Sequence, residues 1–181
     1  MTVKTPIDAR ALTDRGAAPW ATAEERLENP ERPRTYWLAT VRGDGRPHVM
    51  PIIGMWMEGA FYFVSGERTR KARNLAREPR CTVVTGTTTL PSLDLIVDGV
   101  ASMVTDDETL RRVTEAYRSR MEWPLEVRDG RVHGPNAPTA GPPPYAVWQV
   151  TPSSVIGLPG MAGMEQFAPD DLPRPTRWDF S

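Results

Sequence analysis

Tyr36-Trp-Leu-Ala-Thr-Val-Arg42, followed by Gly43-Asp-Gly45, is the stretch from which the fold is read. β-Branched and aromatic residues suit an extended, half-buried backbone, and the Gly-Asp-Gly triplet tolerates the dihedral angles of a tight reversal, so a hairpin is expected. Its return strand spans His48 to Met57, Glu58-Gly59 makes a second turn, and Ala60-Phe-Tyr-Phe-Val-Ser65 follows as a third antiparallel strand. Pro51 interrupts the middle strand. Having no N–H to donate, it belongs either where the ladder needs no donor or at a bulge.

Beyond Gly66 the period changes. Thr69-Arg-Lys-Ala-Arg-Asn-Leu-Ala-Arg-Glu78 predicts a two-turn helix capped by Thr69, with Ala72, Leu75 and Ala76 as its apolar face and Pro79 as its stop. Strands are expected at Arg80 to Thr85 and at Leu93 to Val104, the second long enough to bend at Gly99. Thr105-Asp-Asp-Glu108 has the spacing of a capping box and opens a helix whose inward face is Leu110, Val113, Tyr117 and Met121. A last strand runs from Tyr145 to Val150 and continues past Pro152 as Ser154 to Leu158. Upstream, Thr22-Ala-Glu-Glu25 is a second capping box, opening a short helix through Glu28 with Leu27 as its anchor and Pro30 as its stop.

A doubly wound parallel fold would need a crossover helix after nearly every strand, and this order of elements lacks them. The fold class is therefore mostly β, an antiparallel and mostly closed barrel with short peripheral helices, although periodicity alone does not separate a barrel from a sandwich. At 181 residues one well-filled core is expected. It occupies residues 35–158, preceded by an N-terminal arm and short helix (1–34) and followed by a C-terminal tail (159–181) that is a candidate cover for the site. Pro173-Arg-Pro-Thr-Arg-Trp178 in that tail reads equally as a latch between subunits or as an aromatic staple.

The net charge of −1 gives no global field to gather nucleic acid or an anionic membrane. The single cysteine, Cys81, excludes an internal disulfide, and no apolar run approaches the ~18 to 20 residues of a membrane span, so a cytoplasmic protein is expected. His48 and His133 fall in no His-Glu-x-x-His spacing, and neither Ser65 nor Ser102 sits in a nucleophile-elbow context, so metal and hydrolytic chemistry find no support.

One cluster runs against ordinary stability. Arg68, Arg70, Lys71 and Arg73 put four positive charges into six positions at the opening of the short helix, where free amides already make the potential positive. A bound phosphate removes the conflict by accepting hydrogen bonds from the amides, Thr69 and the basic side chains. A solvated basic turn is the competing reading, since Arg and Lys are good helix formers and water screens their repulsion. Met50, Pro51, Ile52 and Ile53 form an uncharged run on which a planar ring could rest, with Val64 and Ser65 closing the adjacent strand beside the basic cluster.

These segments together resemble the pyridoxamine 5'-phosphate oxidase-like split β-barrel superfamily of flavin and deazaflavin reductases, from Tyr36 to Leu158. Leu38-Ala-Thr-Val-Arg-Gly-Asp-Gly-Arg-Pro-His-Val49, Phe61-Tyr-Phe-Val-Ser-Gly66 and Arg70-Lys-Ala-Arg-Asn-Leu-Ala-Arg-Glu-Pro-Arg80 carry the resemblance. It implies a split-barrel fold that binds FMN or a related cofactor, with Arg70 and Lys71 on the cofactor phosphate, Val64 and Ser65 beside it, and Met50, Pro51, Ile52 and Ile53 under the ring. It also implies a homodimer with cofactor sites at the subunit interface, where Trp148 and the tail approach the partner's cofactor. The C-terminal Thr176-Arg-Trp-Asp-Phe180 lacks the arginine and histidine arrangement with which the vitamin-processing oxidase holds its substrate phosphate. The likeness is greater to the branch containing F420-dependent reductases, which implies hydride transfer from reduced F420 to a small conjugated organic substrate. FMN-dependent redox chemistry, or a non-catalytic flavin or haem carrier or sensor, are the alternatives.

Overall fold

The structure, a computed structural model, describes residues 4–28, 36–85, 90–135, 137, 141–160 and 164–181. The expected hairpin is present: β2 (Tyr36–Val41) pairs antiparallel with β3 (Pro47–Ile52), with Leu38 opposite Met50 and Thr40 opposite His48. The middle strand, expected to run unbroken from His48 to Met57, is split at Ile53 into β3 and β4 (Gly54–Met57). β3 stays with β2 while β4 leaves to pair with β5 (Ala60–Gly66). Gly54 permits the departure, because a Cβ there would lie 2.6 Å from the Phe61 ring and from the Tyr62 carbonyl oxygen. Pro47 and Pro51 are accommodated because β3 is the edge of its sheet, with β2 its single pairing partner among the described residues.

The strands β6 (Arg80–Thr85) and β7 (Leu93–Met103) appear where the sequence predicts them, while the threonine-rich loop between them lies outside the described residues. β10 runs without interruption from Tyr145 to Pro159 and forms the spine of the sheet. Its first half pairs with β5 and its second with β11 (Thr176–Asp179), while β7 follows it from Trp148 to Pro159, and the change of partner coincides with a bulge between Pro152 and Ser154. Gly99 faces that bulge: a Cβ on it would stand 2.3 Å from the Thr151 carbonyl oxygen.

Four strands, β1 (Asp8–Ala11), β8 (Glu126–Arg128), β9 (Arg131–His133) and β11, were not anticipated. β1 pairs with β11 at one edge, and β8 and β9 form a small hairpin that adds to β10. The arm and tail thus meet each other, and Trp178 is fully buried with its indole N–H donating to the Ala18 carbonyl at 3.0 Å. Its ring packs with Trp20, which also meets Trp56 and Phe180 edge-on or tilted, at the end of the barrel.

The helices differ from expectation at their caps. α1 (Trp20–Glu28) starts two residues before Thr22, which therefore lies inside it, whereas Leu27 is buried as expected. α2 (Arg70–Arg77) is capped by Thr69, whose hydroxyl accepts from the Ala72 amide at 3.3 Å, but Ala76 is exposed and Lys71 and Asn74 take places on the buried face. α3 (Asp107–Met121) is capped by Asp106 rather than Thr105, with Asp106 Oδ1 accepting from the Thr109 amide at 2.8 Å. A carboxylate offers two acceptor oxygens and favourable charge at that end, so it wins the cap from its neighbour.

Alternate residues of β5 and β10 feed two separate cores. Phe61, Phe63, Ala146, Trp148 and Val150 face the barrel interior with Leu38, Val83 and Val97. Tyr62, Val64, Tyr145 and Val147 face α3 through Leu110, Val113 and Tyr117. Burial on both faces explains why Ala60-Phe-Tyr-Phe-Val-Ser65 is apolar at nearly every position instead of alternating. No helix among the described residues is long and apolar enough to cross a membrane.

Candidate functional site

α2 lies against β2 with its opening turn beside the end of β5, and of the polar groups singled out in the sequence the wedge between them buries Ser65 and Lys71 and half-buries Thr69, while Arg68, Arg70 and Arg73 are exposed. Ser65, fully buried, places its Oγ 2.8 Å from Thr69 Oγ1, so the end of β5 and the cap of α2 are tied together. Lys71 is only 5% exposed. Among the described residues no carboxylate pairs with it, or with Arg68, Arg70 or Arg73. Burial alone holds the Lys71 ammonium below the usual lysine range. The far end of the helix is in contrast neutralised: Arg80 Nε binds Glu78 Oε1 at 2.7 Å and draws that carboxyl down to about 2.

One turn after Lys71, Asn74 donates to Thr40 Oγ1 at 2.9 Å, and the same hydroxyl lies 3.4 Å from His48 Nδ1 and 3.3 Å from the His48 carbonyl oxygen. His48, which the sequence reading left outside the site, therefore joins it through Thr40. Its imidazole is pushed below the ordinary histidine range, first by partial burial and then by Arg42, Arg70 and Lys71. Arg42 likewise escaped sequence reading. Its Nε is buried without a hydrogen-bond partner, while Arg77 of α2 holds the strand end beside it through the Val41 and Arg42 carbonyls at 3.0 and 2.6 Å. An i,i+3 step on α2 facing a hairpin register pair, Thr40 opposite His48, was the available signal, but it requires knowing which strand the helix covers.

The remaining expected residues divide between surfaces. Met50 and Ile52 share the inward side of β3 with His48, Ile52 buried and Met50 half-buried. Pro51 takes the opposite face, beside Trp37, and Ile53 is exposed in the break between β3 and β4, where its carbonyl accepts from the Tyr117 hydroxyl at 2.9 Å. They do not form one floor, because successive side chains of a strand point to opposite faces. Val64 and Ser65 part in the same way, Val64 toward α3 and Ser65 toward α2. Trp148 is 7% exposed and lies parallel to Phe63, with ring centroids 6.4 Å apart, in the barrel interior. Cys81 is buried and its thiol is pushed up to about 12, which leaves it no nucleophilic character near neutrality.

Two hollows adjoin the wedge. A cavity of about 380 Å³ lies between Gly66–Thr69 and Gly141–Pro144 at the opening of α2. A wider cleft of about 800 Å³ runs over the outer surface past Arg42, Arg77, Cys81 and Asp98. The pyridoxamine 5'-phosphate oxidase family model matches residues 22–158, which include the hairpin, the basic helix and the spine strand as far as Leu158. The chain belongs to this family.

Within the split-barrel superfamily its solved relatives have diverse roles. An F420 reductase is 25% identical, with 72% of this chain and 94% of that one covered at a TM-score of 0.50. A conserved hypothetical protein of Mycobacterium tuberculosis shares the fold at 20% identity, covering 84% of this chain and 96% of its own, with a TM-score of 0.59. The haem storage protein HutZ of Vibrio cholerae does so at 23% identity, with 72% and 87% covered and a TM-score of 0.52. No curated protein matches the chain significantly. Superfamily membership thus supports a role in binding or redox chemistry at the barrel.

Proposed function

We propose that this chain binds a phosphorylated flavin-type cofactor, FMN or F420, with the phosphate in the wedge between α2 and the β2–β3 hairpin. The observation that carries this reading is Lys71, a buried ammonium without a carboxylate, one residue from Arg70 and behind the Thr69 cap. Burying an unpaired charge is costly, and an anionic ligand supplies the missing partner while also satisfying the amides at the helix opening. Arg70 and Lys71 bind the phosphate, Ser65 and Thr69 offer hydroxyls beside it, and Met50 with Ile52 gives the apolar approach along β3.

The cofactor, when bound, supplies the electron or hydride chemistry, while the protein orients it and limits water access. Transfer of hydride from reduced F420 to a small conjugated acceptor is the narrower reading, supported by the likeness to an F420 reductase. A carrier or sensor of the cofactor uses the same wedge. As a haem carrier the chain offers two imidazoles, His48 on β3 and His133 on β9, strands that do not pair with each other.

The functional unit in this reading is a homodimer. Pro51, Trp37, Val84, Ile96 and Ile156 occupy matched register positions across β3, β2, β6, β7 and β10 and are all at least partly exposed. Such a continuous apolar band on a sheet face suits a second copy of the same face. Titration of the purified chain with FMN and with F420 tests the binding. Dissociation constants in the micromolar range or below for at least one, weakened at least about tenfold in Arg70→Gln/Lys71→Gln and unchanged in Arg10→Gln/Arg15→Gln, are expected. Binding of neither cofactor, or equal binding by both double variants, overturns the assignment.

A further inference from the structure

We propose that His48 is a further binding group of this anion site, that it takes up a proton as the ligand binds, and that the site thereby prefers a terminal phosphate monoester to a phosphodiester or a carboxylate. The inference rests on the reading of the wedge as a phosphate site and specifies the charge of what it holds. FMN carries a phosphate monoester, which is close to a dianion at neutral pH. F420 carries a phosphodiester with one charge, and the carboxylates of its tail are also singly charged.

The geometry behind the inference is the polar relay from α2 to β3. Lys71 and Asn74 are successive members of the buried face of α2, and Asn74 is joined through Thr40 to His48 Nδ1. Every charged group acting on the imidazole is a cation: Arg70 and Lys71 from α2 and Arg42 from the end of β2. The carboxylate of the hairpin tip, Asp44, is engaged by Arg46 at 2.7 Å. Partial burial and then these three cations disfavour the imidazolium in the free protein. An incoming dianion reverses the sign of the local potential, which favours the imidazolium and adds a charge to the grip.

Thr40 lets the relay serve both protonation states. Its hydroxyl accepts from Asn74 and has a single hydrogen to give, with His48 Nδ1 and the His48 carbonyl oxygen both within reach. When Nδ1 is unprotonated the hydroxyl donates to it. When Nδ1 carries a proton the hydroxyl turns to the carbonyl and accepts from Nδ1 instead. Neither state leaves a buried polar group unpaired, so the proton is gained without a packing penalty.

Because binding raises the imidazole pKa, the contribution of His48 is present below that raised value and vanishes above it. Below about pH 6 the phosphate takes its own second proton and the advantage falls again. NMR titration of the histidine rings in the full-length chain, free and saturated with FMN, tests this directly, since His48 and His133 are the two signals to follow. His48 should titrate below the ordinary range in the free protein and at least about one unit higher with FMN, a tenfold change in proton affinity, while His133 stays unchanged. Calorimetry in buffers of different ionisation enthalpy should show proton uptake with FMN and none with riboflavin. His48→Gln should abolish that uptake and weaken FMN by up to about tenfold at mildly acid pH, by less at neutrality and not at alkaline pH, with a smaller effect on F420.

An unmoved His48 titration on FMN binding, or proton uptake and pH dependence that persist in His48→Gln, overturns the role of His48. Such a result leaves the wedge standing if Arg70→Gln/Lys71→Gln still loses FMN. Loss of no affinity in that double variant removes the wedge itself and this inference with it.

Discussion

The side-chain amide of Asn74 donates to the hydroxyl of Thr40 at 2.9 Å in a buried contact that fastens the basic helix to the barrel wall. Both partners are buried, so leaving one unpaired costs more than removing the pair. Asn74→Leu and Thr40→Val should each lower unfolding free energy by about 1 to 3 kcal/mol, and Asn74→Leu/Thr40→Val should lose less than the sum of its single changes. Urea denaturation of the four proteins measures the coupling. Additive losses would show that the bond does not join the two elements.

Lys71 exacts a cost in the free protein. Its folded pKa lies below the unfolded value of 10.5, so the unfolded chain binds more protons between those two values and stability rises with pH through that window. Lys71→Met should raise the denaturation midpoint of the cofactor-free chain at neutral pH while weakening phosphate-cofactor binding at least about tenfold. The stability difference from wild type should shrink as the pH climbs toward 10.5. Measuring midpoint against pH for both chains checks the sign; a destabilised Lys71→Met would mean that the ammonium has a partner within the protein.

His48 titrates in the opposite part of the scale with the same sign. Its folded pKa is below 6.5, so acidification through that range protonates the unfolded chain first and reduces stability. His48→Gln should remove this acid-limb loss without altering the alkaline limb. A series of thermal unfolding curves from acid to neutral pH reads it.

Gly99 is required by close approach rather than by a turn. Gly99→Ala would drive a Cβ to within 2.3 Å of the Thr151 carbonyl oxygen, which belongs to the spine strand and cannot withdraw as a flexible side chain could. A loss of about 2 to 3 kcal/mol is expected, whereas Gly45→Ala, with open space around it but a φ of +83°, should lose less. Guanidinium unfolding of the two variants ranks them.

Trp37 is 47% exposed and is the largest side chain of the apolar band. Trp37→Glu should dissociate the proposed dimer, which sedimentation velocity detects as a halved mass, while the near-ultraviolet spectrum of the buried tryptophans is retained. An unchanged mass would move the subunit interface to another face.

The sequence alone determined the local features of this protein. The hairpin, the Thr69 cap, the placement of Arg70 and Lys71 at a helix opening and the inward face of α3 all follow from turn chemistry, capping and periodicity, which act over a few residues. Tertiary structure decided what those features meet. The split at Ile53 reflects β3 and β4 taking different partners, and no local rule states which partner a strand will find. Likewise Lys71 and Ala76 exchange their expected exposure because β2 covers one side of α2, and a helical period does not say which side is covered. Met50 to Ile53 could be recognised as an apolar run, but strand alternation sends them to two faces, and Trp148 enters the interior because both faces of β10 are packed. His48 reaches the basic helix only when the hairpin register sets it opposite Thr40 and the helix brings Asn74 to that hydroxyl. The Asn74–Thr40 contact joins residues 34 positions apart, a distance over which burial and polar pairing in the folded chain, not local propensity, select the neighbour.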